Sequence, residues 1–225
     1  MIFCRLDLYF FPILDIYTPI DRTILGYKEL FSPIWRFSMK KAAVIHDLSG
    51  FGKCSLTAAI PVLSALGVQC CPVATAVLTG QTGYPCYHCT DLTAMLPDYI
   101  DAWGKNNAHF DAIYSGFLTG AEQISQVLDF IRHFRKEHTL LLVDPVMGDD
   151  GNAYPFFTPG LLNGMKELTL EADVITPNLT EACLLADIPE DTLLHCRTNT
   201  DLLKLAEDVA LRLQKKASHP QDVVI

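Results

Sequence analysis

The chain has 225 residues, half of them apolar and 19% charged, with 17 Lys and Arg against 26 Asp and Glu for a formal charge of -9. This is enough chain to bury one large core and too apolar for intrinsic disorder, and it has no run of about 18 uninterrupted apolar residues such as a bilayer-spanning helix needs. The acidic balance removes the basic stripe on which binding to a nucleic-acid backbone depends, so any polyanionic ligand must be neutralised locally.

Residues 1–38 end in Ile34-Trp35-Arg36-Phe37-Ser38 and are rich in aromatics and Ile, with Pro12, Pro19 and Pro33 interrupting any helical or strand period. They contain no clean basic, apolar, small-residue signal peptide, which favours a reducing, cytoplasmic setting. At Met39 the pattern changes to Lys40-Lys41 and the apolar run Ala42-Ala43-Val44-Ile45. The expectation is an atypical N-terminal extension over 1–38, either a strand or cap for a neighbouring subunit or upstream sequence that is not native, followed by one domain over 39–225.

From there, strand-like runs at about 42–46, 69–77, 111–115, 139–143, 173–176 and 222–225 alternate with helical spacing at roughly 54–66, 91–105, 121–136, 178–186 and 200–215. Crossovers of this length predict an α/β fold: a doubly wound, mostly parallel sheet with helices on both faces. Of the eight cysteines, Cys54, Cys70, Cys71 and Cys183 lie in apolar segments and read as small buried hydrophobes. Cys86 and Cys89 flank His88 in a C-x-x-C, but no second ligand pair stands at zinc-ribbon spacing.

Ligands of doubly wound sheets gather beyond the carboxyl ends of the strands. Those ends read His46-Asp47-Leu48-Ser49-Gly50-Phe51-Gly52-Lys53, Thr79-Gly80-Gln81-Thr82-Gly83-Tyr84, Ser115-Gly116-Phe117-Leu118-Thr119-Gly120, Asp144-Pro145-Val146-Met147-Gly148-Asp149 and Thr176-Pro177-Asn178-Leu179-Thr180-Glu181. Two nucleotide motifs fail on spacing. A Walker A loop would need Ser or Thr where Cys54 stands and glycine at Asp47, and a dinucleotide G-x-G-x-x-G would need glycine at Ser55.

Taken together and in order, these strand ends resemble the pyridoxal kinases of the ribokinase superfamily, in the vitamin kinase branch that also holds the hydroxymethylpyrimidine kinases. The resemblance spans residues 39–225. It implies a ribokinase-like fold and ATP-dependent phosphorylation of the hydroxymethyl group of pyridoxal, pyridoxine or pyridoxamine, with Mg²⁺ and ATP as metal and co-substrate and a homodimer as the usual assembly. Asp47, Thr82, Gly83, Tyr84 and Phe117 are then the substrate-binding residues, Asp144, Thr176, Asn178 and Glu181 the ATP-binding ones, and Glu181 with Asp144 the metal ligands. Asp47 departs from the serine usual in pyridoxal kinases and matches the pyrimidine kinases, which keeps hydroxymethylpyrimidine open as the alternative substrate; the Thr82-Gly83-Tyr84 turn favours the pyridine. Thr176-Pro177-Asn178 with Glu181 also reads as a helix cap. The family's catalytic base sits in a Gly-x-Gly-Asp turn that occurs nowhere in these residues. The expectation is a domain lacking its C-terminal part, with little activity as it stands; a ligand-binding remnant without catalysis is the remaining alternative.

Overall fold

Lys41–Ser49 forms β1, and every residue from Ala42 to Asp47 is buried, the signature of a strand covered on both faces. The computed structural model describes residues 39–189 and 191–225, so the expectations for 1–38 lie outside the described residues. After β1 come α1 (Ser55–Ala65), β2 (Gln69–Leu78), the short edge strand β3 (Cys89–Asp91), α2 (Leu96–Lys105), β4 (Ala112–Ser115), α3 (Ala121–Phe134) and β5 (Leu140–Val143). A hairpin of β6 (Gly148–Asp149) and β7 (Asn152–Ala153) leads into α4 (Pro159–Leu170), β8 (Val174–Ile175), α5 (Leu179–Leu185), α6 (Asp191–His195), α7 (Asn199–Lys216) and β9 (Asp222–Val223).

The main sheet runs β3-β2-β1-β4-β5-β8-β9, parallel throughout except for the antiparallel β3. The chain leaves β1 toward β2 and later returns to its other side with β4, so the order reverses at β1. Right-handed crossovers then place α1 on one face and the later helices on the other. The apolar contacts agree: Ala42 and Val44 pack with Leu56 of α1, whereas Ala43 and Ile45 join the core made with α2, α3, α4, α5 and α7. At the centre of that core, Phe130 and Phe134 stand 4.6 Å apart between ring centroids, with Trp103 and Phe110 against them.

The α/β architecture is the expected one, with differences that follow from local chemistry. Helix α4 was not anticipated, although Thr158-Pro159 is a helix start: Thr158 Oγ1 accepts from the Leu161 amide at 3.1 Å, and a proline in the first turn lacks only an amide that would go unpaired. The helix expected over 91–105 begins later, because Cys89–Asp91 pairs with β2 and Thr93–Met95 forms a 3₁₀ turn before Leu96. The β6–β7 hairpin also went unforeseen. Its turn residues Asp150 and Gly151 have φ of +48° and +75°, the Asp-Gly pair that a tight hairpin favours. Among the four cysteines read as buried, only Cys183 is fully so; Cys70 and Cys71 are half-buried, and Cys54 borders the cavity described below. Among the described residues no helix is long and apolar enough to cross a membrane.

Phe130 is fully buried at the meeting of three other rings. Phe130→Ala should lower the unfolding free energy by about 3–5 kcal/mol, read as a lower urea midpoint with an unchanged slope.

Candidate active site

The order reversal opens a crevice between the carboxyl ends of β1 and β4, and a cavity of about 260 Å³ lies there. His46, Asp47 and Ser49 of β1 line it together with Cys54, Ser55, Gln81, Thr82, Phe117, Asp144, Tyr154 and Phe156. Its floor is polar and almost sealed: His46, Asp47 and Ser49 are 5%, 4% and 1% exposed. Buried polar groups at a strand end need partners, and these three supply one another. Ser49 Oγ donates to Asp47 Oδ2 at 2.7 Å, and Asp47 Oδ1 lies 3.1 Å from Nδ1 of His46. Burial alone would raise the Asp47 carboxyl, but the His46 ring and the hydroxyls of Ser55 and Ser49 outweigh it and hold the group below its ordinary value.

Ser55 reaches Asp47 from the start of α1 at a cost. Its φ is +51°, a left-handed conformation that disfavours a residue with a side chain. The turn before it is tied to β2, with Gly50 N–H donating to Leu78 O at 2.9 Å and Phe51 N–H to Thr79 O at 3.1 Å. Across the crevice, Gly116 is glycine because of His46: a Cβ there would lie 2.1 Å from His46 Nε2.

Asp144, just past the end of β5, is raised above its ordinary value by burial, against the attraction of His46 and a hydrogen bond from Tyr114. The Tyr114 hydroxyl is itself pushed up to about 12 by burial and by Asp144. Beside it, the segment from Met147 through the hairpin is pinned to α5. Glu181 Oε1 accepts from Met147 N–H at 3.1 Å and Oε2 from Asn178 N–H at 2.9 Å, while Asn178 Nδ2 donates to Gly148 O at 2.7 Å and Gly151 N–H to Thr180 Oγ1 at 2.9 Å. Asn178 Oδ1 in turn accepts from Glu181 N–H at 3.0 Å, completing a reciprocal helix cap. Glu181 is 3% exposed, and burial raises it to about 7 in spite of these amides, with Asp144 adding to the rise. Having pinned the hairpin, the chain turns Tyr154 and Phe156 back over the cavity, and Phe156 meets Phe117 edge to face at 5.8 Å.

Asp47, Thr82, Phe117 and Asp144 thus meet in one cavity, and Asn178 and Glu181 brace the loop beside it. Thr176 is half-buried and its amide extends the strand ladder to Val143 O at 3.1 Å. Gly83 and Tyr84 do not line the cavity; Tyr84 is more than one-third exposed and stacks on Phe51 at 4.9 Å. Reading the strand ends alone missed His46, Ser49, Cys54, Ser55, Gln81, Tyr154 and Phe156 as cavity residues. Ser49 stood in view within the first turn, whereas Tyr154 and Phe156 required the hairpin.

A model of the phosphomethylpyrimidine kinase family matches residues 52–223. The chain belongs to this family. Among solved structures, it is 43% identical to a Bacteroides thetaiotaomicron protein described as a phosphomethylpyrimidine kinase, in an orthorhombic crystal form with pyridoxal (TM-score 0.70; 78% of this chain and 60% of that one). It is 31% identical to pyridoxal kinase from Lactobacillus plantarum (TM-score 0.72; 84% and 64%). A pyridoxine/pyridoxal/pyridoxamine kinase of Bordetella avium is 34% identical over 143 residues, 60% of this chain and 47% of that one. The chain spans less than two thirds of each of these relatives. With this family's fold, the cavity occupies the place where doubly wound sheets bind their ligands.

The acids of this family member also bear on a metal. Among the described residues no group of three metal-ligating side chains forms, and neither Asp144 nor Glu181 pairs with a Lys or Arg. Two buried carboxylates without a cation suit a hard divalent ion that keeps waters and takes phosphate oxygens. Both Glu181 oxygens are occupied by amides, which leaves Asp144 the freer ligand.

Glu181 sets a pH dependence. Its folded-state value of about 7 exceeds the ordinary 4.5, so the folded chain holds the proton more tightly. The resulting stability is fully present below pH 4.5 and lost as pH rises to 7, on the order of 3 kcal/mol for this group. Urea midpoints at pH 5 and pH 8 should differ in that direction, and Glu181→Gln should shrink the difference.

Proposed function

We propose that this chain provides the substrate cavity and part of the nucleotide side of an ATP-dependent kinase that phosphorylates the hydroxymethyl group of pyridoxal, pyridoxine or pyridoxamine. The observation that carries the reading is the cavity floor: an ionised, buried Asp47 beneath aromatic walls, in a chain 43% identical to a protein whose crystals hold pyridoxal. A carboxylate kept ionised accepts from a ring hydroxyl or a protonated ring nitrogen, and Phe117 with Phe156 covers the ring face. Thr82 adds a hydroxyl at the wall. The pyrimidine alternative is not favoured, since the relatives above bear the names of pyridoxal kinases or were crystallised with pyridoxal.

Phosphoryl transfer depends on positioning and on neutralising charge. Asp144 stands between the ring cavity and the braced hairpin and is the residue we assign to Mg²⁺, with Glu181 supporting it. Bound Mg²⁺ would neutralise the ATP phosphates. Thr176 and Asn178 belong to the nucleotide side, where Asn178 acts by fixing the loop from Met147 to Gly151. The substrate hydroxymethyl oxygen attacks the γ-phosphorus as the bond to ADP breaks, giving pyridoxal 5′-phosphate or its counterpart. We also read the enzyme as cytoplasmic and as a homodimer. The second point is supported by α1, which carries no charged residue and exposes Ile60 and Val62, with Leu66 just beyond it.

Titration calorimetry with pyridoxine and hydroxymethylpyrimidine side by side tests the reading. Tighter binding of the pyridine is expected, and binding of the pyrimidine alone overturns it. Asp47→Ala should weaken pyridoxine about 10- to 100-fold while ADP affinity stays unchanged. At pH 8, Mg²⁺ with ADP should raise the melting temperature of the wild type and do so far less in Asp144→Asn.

A further inference from the structure

Phe117 lines the cavity and meets Phe156 edge to face, yet the stretch of chain that carries it belongs to no strand or helix. Residues 117–119 make no main-chain to main-chain hydrogen bond among the described residues. Covered backbone without such bonds has to be satisfied by side chains, and two residues that do not line the cavity do this. The hydroxyl of Thr75, fully buried on β2, donates to Phe117 O at 2.9 Å. Gln123, 1% exposed in the first turn of α3, accepts at Oε1 from Thr119 N–H at 2.9 Å. The two are themselves joined, because Gln123 Nε2 donates to Thr75 O at 2.9 Å and to Thr93 Oγ1 at 3.0 Å.

The same network reaches the turn that bears Thr82. The Thr119 hydroxyl donates to Asp91, whose other oxygen accepts from Thr93 N–H at 2.8 Å. Asp91 ends β3, the return limb of that turn, and the neck of the turn is closed by Thr79 N–H to His88 O at 3.0 Å and His88 N–H to Thr79 Oγ1 at 2.9 Å. The aromatic cover and the hydroxyl wall therefore hang from one set of hydrogen bonds lying outside the cavity. Gln123 needs a donor and an acceptor at the same time to hold it, which an amide supplies and a carboxylate does not.

Resting on the kinase reading of this cavity, we propose that Thr75 and Gln123 are positioning residues for substrate binding, which hold Phe117 where its ring covers the bound pyridine. They act through the Phe117 segment, and none of their hydrogen bonds reaches Asp144, Glu181 or the β6–β7 hairpin. Without them the segment gains conformational freedom that ring binding must remove, so the loss falls on the ring side and spares the nucleotide side.

Thr75→Val keeps the shape of the side chain and deletes the donor to Phe117, Thr75→Ser keeps the donor, and Gln123→Met removes the amide at nearly constant length. Calorimetry of the full chain should show pyridoxine binding about three- to tenfold weaker in Thr75→Val and Gln123→Met, within about twofold of wild type in Thr75→Ser, and unchanged ADP affinity in all three. Thr75→Val alone decides the matter if Gln123→Met does not fold. A double-mutant cycle separates positioning from general stability: on a Phe117→Ala background, Thr75→Val should weaken pyridoxine no further, while still lowering the urea midpoint. Equal weakening on both backgrounds, parallel losses of pyridoxine and ADP affinity, or wild-type pyridoxine binding by Thr75→Val overturns this inference alone. Failure of the wild type to bind pyridoxine overturns the kinase reading and this inference with it.

Discussion

A strand covered on both faces, whose neighbours leave in opposite directions, makes a demand that the rest of this molecule answers. β1 is apolar while helices lie on each side of it, and it turns polar where they part, at His46, Asp47 and Ser49. Those groups are still almost wholly covered, so each must find partners within a few ångströms. The nearby irregularities follow from that need. Ser55 adopts a left-handed φ and supplies a hydroxyl to Asp47, while Gly116 omits a side chain so that the imidazole fits. The strain at Ser55, of order 1–3 kcal/mol, persists because the turn before it is held by two amide hydrogen bonds, to Leu78 O of β2 and to Thr79 O just beyond it.

The side proposed for the nucleotide follows a different logic. Glu181 is as buried as Asp47, but its partners are backbone amides, which cannot reorient to follow a charge. They lower the cost of burial without cancelling it, and the carboxyl ends near 7 where Asp47 falls below its ordinary value. The difference lies in the company each acid keeps. Asp47 has two hydroxyls that turn their protons toward it, whereas Glu181 has Asp144, a second acid, nearby. Two neighbouring acids that each hold the proton more tightly than usual, and that only a cation would relieve, lie on the side where Mg²⁺ is proposed to sit, and a self-satisfied carboxylate forms on the side proposed for the ring.

How far the sequence discloses all this varies with the kind of feature. The parallel strands were legible because burial on both faces leaves apolar runs such as Ala42-Ala43-Val44-Ile45, and the site was legible as far as it sits directly on strand ends, as Asp47, Phe117 and Asp144 do. Helix α4 buries Leu161, Met165 and Leu168 at helical spacing, but Gly160, Asn163 and Gly164 are poor helix formers and thin the signal, so that its cap is the plainer sign. Tyr154 and Phe156 depend on a hairpin set by two positive φ angles, and Ser55 on a third. Such conformations are decided by tertiary contact, and periodicity carries no trace of them. Tyr84 shows the converse: a residue in the right motif whose ring finds Phe51 a better neighbour than the cavity.

Asp144 joins the two halves. It follows directly on a central strand, so its main chain is fixed by the hydrogen bond its amide donates to Ser115 O at 2.8 Å, and Tyr114 constrains its side chain. His46 attracts its charge from the ring side, and on the other side its charge helps to raise Glu181. A ligand or cation that changes the charge felt by Asp144 is therefore felt at both ends, without any movement of the fold. If the ring binds next to His46 and a metal at Asp144 as proposed, the two events are coupled electrostatically through one carboxylate, and the coupling strengthens as water is excluded from the cavity between them.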